Sequence, residues 1–120
     1  MARILLIDDD PGLREALGMA LEDAGHDVVL ASDGREGLLR LAEGRAAVVV
    51  SDVNMPRMDG FTFIKNLREQ EAYRDIPIIV LSTEGQDKDI ETGLTLGANL
   101  YMVKPAQPEK MVRNVKMLLG

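Results

Sequence analysis

At 120 residues, with 46% hydrophobic and 28% charged residues, the chain can bury a core and is too apolar to be disordered, so one domain over 1–120 is expected. The absence of cysteine excludes a disulfide framework and thiol chemistry, and no apolar stretch approaches the ~20 residues that cross a bilayer. A net charge of −6 and 3% aromatic residues exclude the basic surface and stacking platforms of a direct nucleic-acid binder.

Arg3 to Ile7 is a short apolar run, read as a first strand, and it ends in Asp8, Asp9 and Asp10. It starts almost at the N-terminus, which leaves no room for a signal peptide and makes a cytoplasmic location the expectation. Pro11 suits a first helical position, with Asp10 as N-cap. Leu13, Leu17, Leu21 and the alanines between them keep helical spacing until Gly25. Asp27 to Ala31 reads as a second strand and Ser32-Asp33-Gly34 as a turn or cap. A helix to about Gly44 follows, with Leu38, Leu39, Leu41 and Ala42 inward. Ala46 to Val50 is an unbroken β-branched run, the signature of a strand buried on both faces. It ends in Ser51 and Asp52, and Pro56 and Gly60 break the chain into a loop. Asp59 caps a third helix through Phe63, Ile64, Leu67 and Ala72. Ile78 to Leu81 is a fourth strand, followed by Ser82, Thr83 and Glu84. Gln86 to Leu96 is a polar helix weakened by Gly93. Leu100 to Val103 is a fifth strand ending in Lys104-Pro105, where Pro105 favours a cis bond. A last helix opens at Gln107 or Pro108, with Met111, Val112, Val115, Leu118 and Leu119 on one face.

Strand and helix thus alternate five times with short connections, which implies an α/β fold with a parallel sheet and helices on both faces. In such a sheet the carboxyl ends of the strands share one edge, where ligands bind. That edge receives Asp8 and Asp9, Asp52, Ser82 and Lys104 from four segments. Carboxylates packed together repel unless a cation joins them, and an all-oxygen donor set suits Mg²⁺. A charged lysine is not a ligand; it holds an anion that the metal also touches. A phosphoryl group fits metal, lysine and hydroxyl together, and Asp52 can serve as the nucleophile that takes it. Taken singly, these residues have plainer roles: Asp10 and Asp59 as caps, Ser82 and Thr83 as turn residues, Lys104-Pro105 as a strand stop. His26 and Tyr73 read as surface or turn residues without a role, and the seven methionines as core fillers ahead of an adaptable binding surface.

Asp8-Asp9, Asp52 within Asp-Val-Asn-Met-Pro-Arg-Met-Asp-Gly, Ser82 and Lys104-Pro105, in this order and spacing, resemble the receiver domain of two-component response regulators. The resemblance covers the whole chain. It implies a flavodoxin-like, doubly wound (βα)5 sheet with strand order 2-1-3-4-5, an order that periodicity alone does not supply. It implies that Asp52 accepts phosphate from a histidine kinase or histidine phosphotransfer protein. Mg²⁺, with Mn²⁺ as substitute, would be held by Asp9 and Asp52 side chains, the Asn54 backbone carbonyl, and Asp8 through water. Lys104 would pair with the phosphoryl group. Ser82 matches the switch hydroxyl better than Thr83, because it directly ends the strand run, and Tyr101 matches the switch aromatic. Asn54 and Glu84 match the positions that tune dephosphorylation and kinase access. The phrase around Asn54 looks most like single-domain chemotaxis regulators. Ala106 departs from the Phe that commonly follows Lys-Pro. The protein implied is a phospho-acceptor switch with self-catalysed phosphotransfer and autodephosphorylation, not a turnover enzyme. A downstream protein would bind the face of the fourth helix, fifth strand and fifth helix, with no nucleic acid or membrane as direct partner. Three other readings stand beside it: the receiver portion of a longer regulator or hybrid kinase, a pseudo-receiver that never uses phosphate, and a haloacid-dehalogenase-like phosphatase using Asp8.

Overall fold

The computed structural model describes residues 2–55, 58–83 and 87–120. Five strands and five helices alternate among them: β1 (Arg3–Ile7), α1 (Pro11–Asp23), β2 (Asp27–Ala31), α2 (Gly34–Glu43), β3 (Val48–Asp52), α3 (Gly60–Glu69), β4 (Ile78–Thr83), α4 (Asp87–Leu96), β5 (Leu100–Lys104) and α5 (Pro108–Leu119). The strands form one parallel sheet in the order β2-β1-β3-β4-β5. The central strands β1, β3 and β4 are covered on both faces, which is why they are continuously apolar rather than alternating.

Alternation still decides which layer each residue joins. Ile4, Leu6, Val48, Val50, Ile79 and Leu81 point to one face, against Leu17 and Leu21 of α1 and Met111 and Val115 of α5. Leu5, Ile7, Val49, Ile78 and Val80 point to the other, against Leu41 of α2 and Phe63, Ile64 and Leu67 of α3. Each such fully buried aliphatic side chain contributes roughly 1.5–3 kcal/mol, so the two layers supply most of the driving force for folding.

Helix starts are set by local chemistry. The Asp10 side chain accepts from the Gly12 and Leu13 N–H groups at 3.0 and 3.4 Å, with Pro11 in the first turn. Before α2, Asp33 accepts from Glu36 N–H while Glu36 accepts from Ser32 N–H, both at 2.9 Å, a reciprocal capping arrangement. Asp59 caps α3 through Thr62 N–H at 2.8 Å.

Several boundaries differ from the sequence expectation. The third strand is displaced two residues from the apolar run, to Val48–Asp52, and ends at Asp52 as the sequence pattern implies. Pairing is the reason: Asp52 sits opposite Leu81 in the β3–β4 register. The fourth and fifth strands extend to Thr83 and Lys104 because those two residues pair with each other. The third helix stops at Glu69, before Ala72, where the chain enters a run of turns. In α2, Leu41 is buried and Leu38 half-buried, but Leu39 is 67% exposed and Ala42 is exposed too. At 3.6 residues per turn the buried face runs through Gly34, Gly37 and Leu41, and Leu39 points away from it. Of the methionines, Met102 and Met111 are buried and Met19 and Met117 are exposed, so core filling describes only part of the set. Tyr73 lies in a turn but packs its ring against the core, and His26 is half-buried.

Candidate functional site

The site is built where β1, β3, β4 and β5 end. Asp8 follows β1 and is fully buried. Its backbone is held from both sides: Asp8 N–H donates to Ala31 O at 3.1 Å, and Arg14 Nη1 donates to Asp8 O at 2.7 Å. Asp8 Oδ1 accepts from Asp10 N–H at 2.9 Å, so the turn that carries Asp9 is tightly specified. Asp9 itself is exposed. Asp52, 3% exposed, ends β3, and its Oδ1 accepts from Asn54 N–H at 3.3 Å.

Lys104 reaches in from the end of β5. Its Nζ lies 3.1 Å from Asp8 Oδ2 and 3.1 Å from Asp52 Oδ2, bridging the two buried carboxylates. The Lys104–Pro105 bond is cis, as the sequence suggested. Burial raises the pKa of Asp52 above the ordinary carboxylate value; the Lys104 hydrogen bond opposes this and the Asp8 charge reinforces it. For Lys104, burial alone would lower the pKa, but hydrogen bonds and charge from Asp52 and Asp8 outweigh it and hold the ammonium above its ordinary value.

Asp8, Asp9 and Asp52 each offer a carboxylate oxygen, and these oxygens lie within 4.8 Å of one another. Three formal negative charges face one ammonium, so a charge deficit remains that a divalent cation offsets. Among the described residues, no donor other than Lys104 meets the buried Asp8 Oδ2. A hard, all-oxygen donor set with spare lone pairs fits Mg²⁺ or Mn²⁺.

Ser82 is fully buried near the end of β4, paired with Val103 of β5, and its hydroxyl donates to Thr83 O at 3.3 Å. Thr83 is exposed, so the hydroxyl expected to act is also the one inside. Tyr101 is 47% exposed on β5. Asn54 is exposed in the loop after β3, and Glu84 lies outside the described residues. The structure therefore joins Asp8, Asp52 and Lys104 by direct contact, gathers Asp9 with them, and sets Ser82 on the neighbouring strand end.

One supporting residue, Arg14, escaped the sequence reading, and another, Gly60, reads there only as a loop breaker. Arg14 stands in the first turns of α1, where a cation opposes the helix dipole; that misfit was the available signal of a specific partner. Gly60 starts α3 directly behind Asp52, and a Cβ there would fall 2.3 Å from Asp52 O. Nothing in the local pattern marks that approach, which exists only after folding.

The model of the response regulator receiver domain matches residues 4–116. The DNA-binding dual master transcriptional regulator RpaA of Synechocystis is 39% identical over 119 residues, covering 99% of this chain and 49% of that protein. The transcriptional regulatory protein AfsQ1 of Streptomyces coelicolor is 37% identical over 119 residues, 99% of this chain and 52% of that one. The chain thus spans about half the length of these curated relatives. Among solved structures, the chemotaxis response regulator CheY4 of Vibrio cholerae superposes with a TM-score of 0.92 at 39% identity, covering 99% of each chain. The receiver domain of a signal transduction histidine kinase from Syntrophus aciditrophicus gives a TM-score of 0.91 at 33% identity, covering 99% of this chain and 90% of that one. With the strand order, the acidic edge and these matches in agreement, the chain belongs to the response regulator receiver domain family.

Proposed function

We propose that the chain works as one receiver unit over 1–120, in which Asp52 accepts a phosphoryl group and the β4–β5 end of the sheet carries the consequence to a protein partner. Receiver domains bind Mg²⁺ at an acidic pocket and interact with histidine kinases and downstream effectors. The observation that carries the reading for this chain is the Lys104 bridge between Asp8 and Asp52 beside the three-carboxylate cluster.

In this reading a carboxylate oxygen of ionised Asp52 bonds to phosphorus as the N–P bond of a phosphohistidine breaks, and the released imidazole takes a proton from solvent. Lys104 leaves Asp52 to hold a phosphoryl oxygen while still paired with Asp8. Asp9 and Asp52 side chains and the Asn54 carbonyl would hold Mg²⁺, with Asp8 acting through water. Bound there, the ion offsets the charge that gathers on the transferring oxygens. The Ser82 hydroxyl turns from Thr83 O to a phosphoryl oxygen, Tyr101 turns inward, and the α4–β5–α5 face shifts to a partner-binding population. Asn54 and Glu84 tune the lifetime of the phosphate and access to it. The protein is then a switch with self-catalysed phosphotransfer and autodephosphorylation, located in the cytoplasm. Among the described residues no helix is long and apolar enough to cross a membrane.

A single-domain, chemotaxis-type role is supported by the phrase around Asn54 and by the 39% identity to CheY4. The second reading, a receiver within a longer regulator or hybrid kinase, is supported by the half-length match to RpaA. The family match supports the receiver reading over the Asp8 phosphatase alternative.

Intact-mass spectrometry after acetyl phosphate and Mg²⁺ tests the core of this. One added phosphoryl group is expected, absent in Asp52→Asn and absent without Mg²⁺. If neither acetyl phosphate nor beryllofluoride, a stable phosphoryl mimic, reacts or binds, the phosphoryl reading falls and a pseudo-receiver replaces it.

A further inference from the structure

Arg68 stands outside the acidic site, yet it makes the densest set of side-chain hydrogen bonds among the described residues. Its Nη1 donates to the carbonyls of Arg74 and Ile76, both at 2.7 Å, and to Tyr73 O at 3.5 Å. Its Nε and Nη2 both donate to Gly97 O, at 3.1 and 2.8 Å, and Nη2 also donates to Asn99 Oδ1 at 3.1 Å. One guanidinium on α3 therefore gathers the entry to β4 and the turn between α4 and β5. Asn99 closes the ring: its Oδ1 accepts from Ile78 N–H at 2.9 Å, and its own N–H donates to Ile78 O at 2.8 Å. Gly97 has φ +117°, and a Cβ there would sit 2.9 Å from Arg68 Nε, so this glycine is what lets the guanidinium close on the chain.

The rest of α4 is lightly held. Gly93 is its only buried residue among those whose burial is described, and it lies against Val80, where a Cβ would be 3.3 Å from Cγ2. Ile90 and Leu96 are half-buried and Leu94 is 42% exposed. Few buried apolar contacts mark an element of low local stability. The two ends of α4 also sit in different places. Its C-terminal end is at the clamp beside Ile78, where β4 begins. Its N-terminal end, Asp87, comes four residues after Thr83 in the sequence, at the other end of a helix about 14 Å long at 1.5 Å rise per residue.

We propose that Arg68 is the pivot of the switch: α4 swings about the Arg68–Gly97–Asn99 clamp, so its displacement is largest beside Ser82 and vanishes at its C-terminal end. The proposal rests on the phosphoryl-switch reading. Arg68 is a positioning residue in it, acting on the output face without touching the phosphoryl group. A lysine does not reproduce the clamp, because a single ammonium lacks the planar fork that serves separated carbonyls at once.

The test is amide NMR of the full chain on adding Mg²⁺ and beryllofluoride. Shift changes at Ile90 and Glu91 are expected to exceed those at Gly97, Ala98 and Asn99 by about threefold or more, in keeping with their distances from the clamp at ~1.5 Å rise per residue. The Arg68 Nε–H signal stays protected from exchange. Equal changes at both ends of α4 overturn the pivot while leaving the phosphoryl reading intact. No change at Asp52 overturns both. In Arg68→Lys, Mg²⁺ affinity is expected to stay within twofold of wild type while changes at Gly97–Asn99 rise about threefold; a wild-type pattern in that variant overturns the pivot. The wild-type measurement decides the matter even if the variant does not fold.

Discussion

Gly60→Ala is the most discriminating single change, because its effect on the site is set by geometry alone. The new Cβ would fall 2.3 Å from Asp52 O, 2.7 Å from Val53 Cα and 3.0 Å from Asp52 C, against an ordinary contact of 3.4 Å or more. All three neighbours are backbone, so no rotamer change relieves the overlap. The start of α3 and the Asp52–Val53 peptide must separate by about 1 Å, and the 3.0 Å bond from Gly60 N–H to Val53 O must lengthen or break. Overpacking of this kind costs about 1–3 kcal/mol. The helix propensity gained by alanine, under ~1 kcal/mol, is small at a first helical position and does not offset it. The same shift moves Asp52 relative to Lys104, and a displacement near 1 Å at a reacting group reduces rate by up to ~100-fold. The assay is paired: guanidinium unfolding for stability, and the rate of mass increase with acetyl phosphate at saturating Mg²⁺. A variant as stable as wild type that also phosphorylates at the wild-type rate would refute the claim that α3 must close on the Asp52 backbone.

Three further outcomes follow from the same geometry. Asp10→Ala removes the side-chain acceptor at the start of α1 and is expected to lower stability by ~0.5–2 kcal/mol, with Mg²⁺ affinity unchanged within twofold, read by denaturation and calorimetry; the Asp10 N–H bond to Asp8 survives the change. On α2, Leu39→Gln is expected to stay within about 0.5 kcal/mol of wild type, while Leu41→Ala costs ~2–5 kcal/mol; similar losses at both sites would contradict the observed helix face. In chelator, and while Asp52 is ionised, the stabilisation that charged Lys104 derives from Asp52 and Asp8 is expected in full below its unfolded pKa of ~10.4 and to disappear as pH rises through its higher folded value. Comparing unfolding of wild type and Lys104→Met across pH checks this, and a stability difference already lost as pH rises from ~7 to ~9 would be the contrary result.

The parts of the site that were legible in the sequence share one property: each ends an apolar run. Asp8, Asp52, Ser82 and Lys104 are found by walking along a strand until the pattern stops, and a parallel sheet then puts those ends on one edge. The caps Asp10 and Asp59 are legible for the same local reason, since their bonds span two or three residues. Leu39 shows where local reasoning fails. A run of leucines looks inward all round, and only the packing of α2 selects the face.

Composition and periodicity thus determined the alternating α/β architecture and the residues delivered to the sheet edge, because backbone preference and hydrophobic spacing act over a few neighbours. The folded chain alone decided which carboxylates Lys104 meets, that Asp9 stays exposed while Asp8 is sealed, and how closely Gly60 approaches Asp52. It also decided that Arg68 ties α3 to residues up to 31 positions away. Such contacts join residues distant in sequence. They depend on sub-ångström placement by the whole core, for which no short stretch of sequence carries a signal.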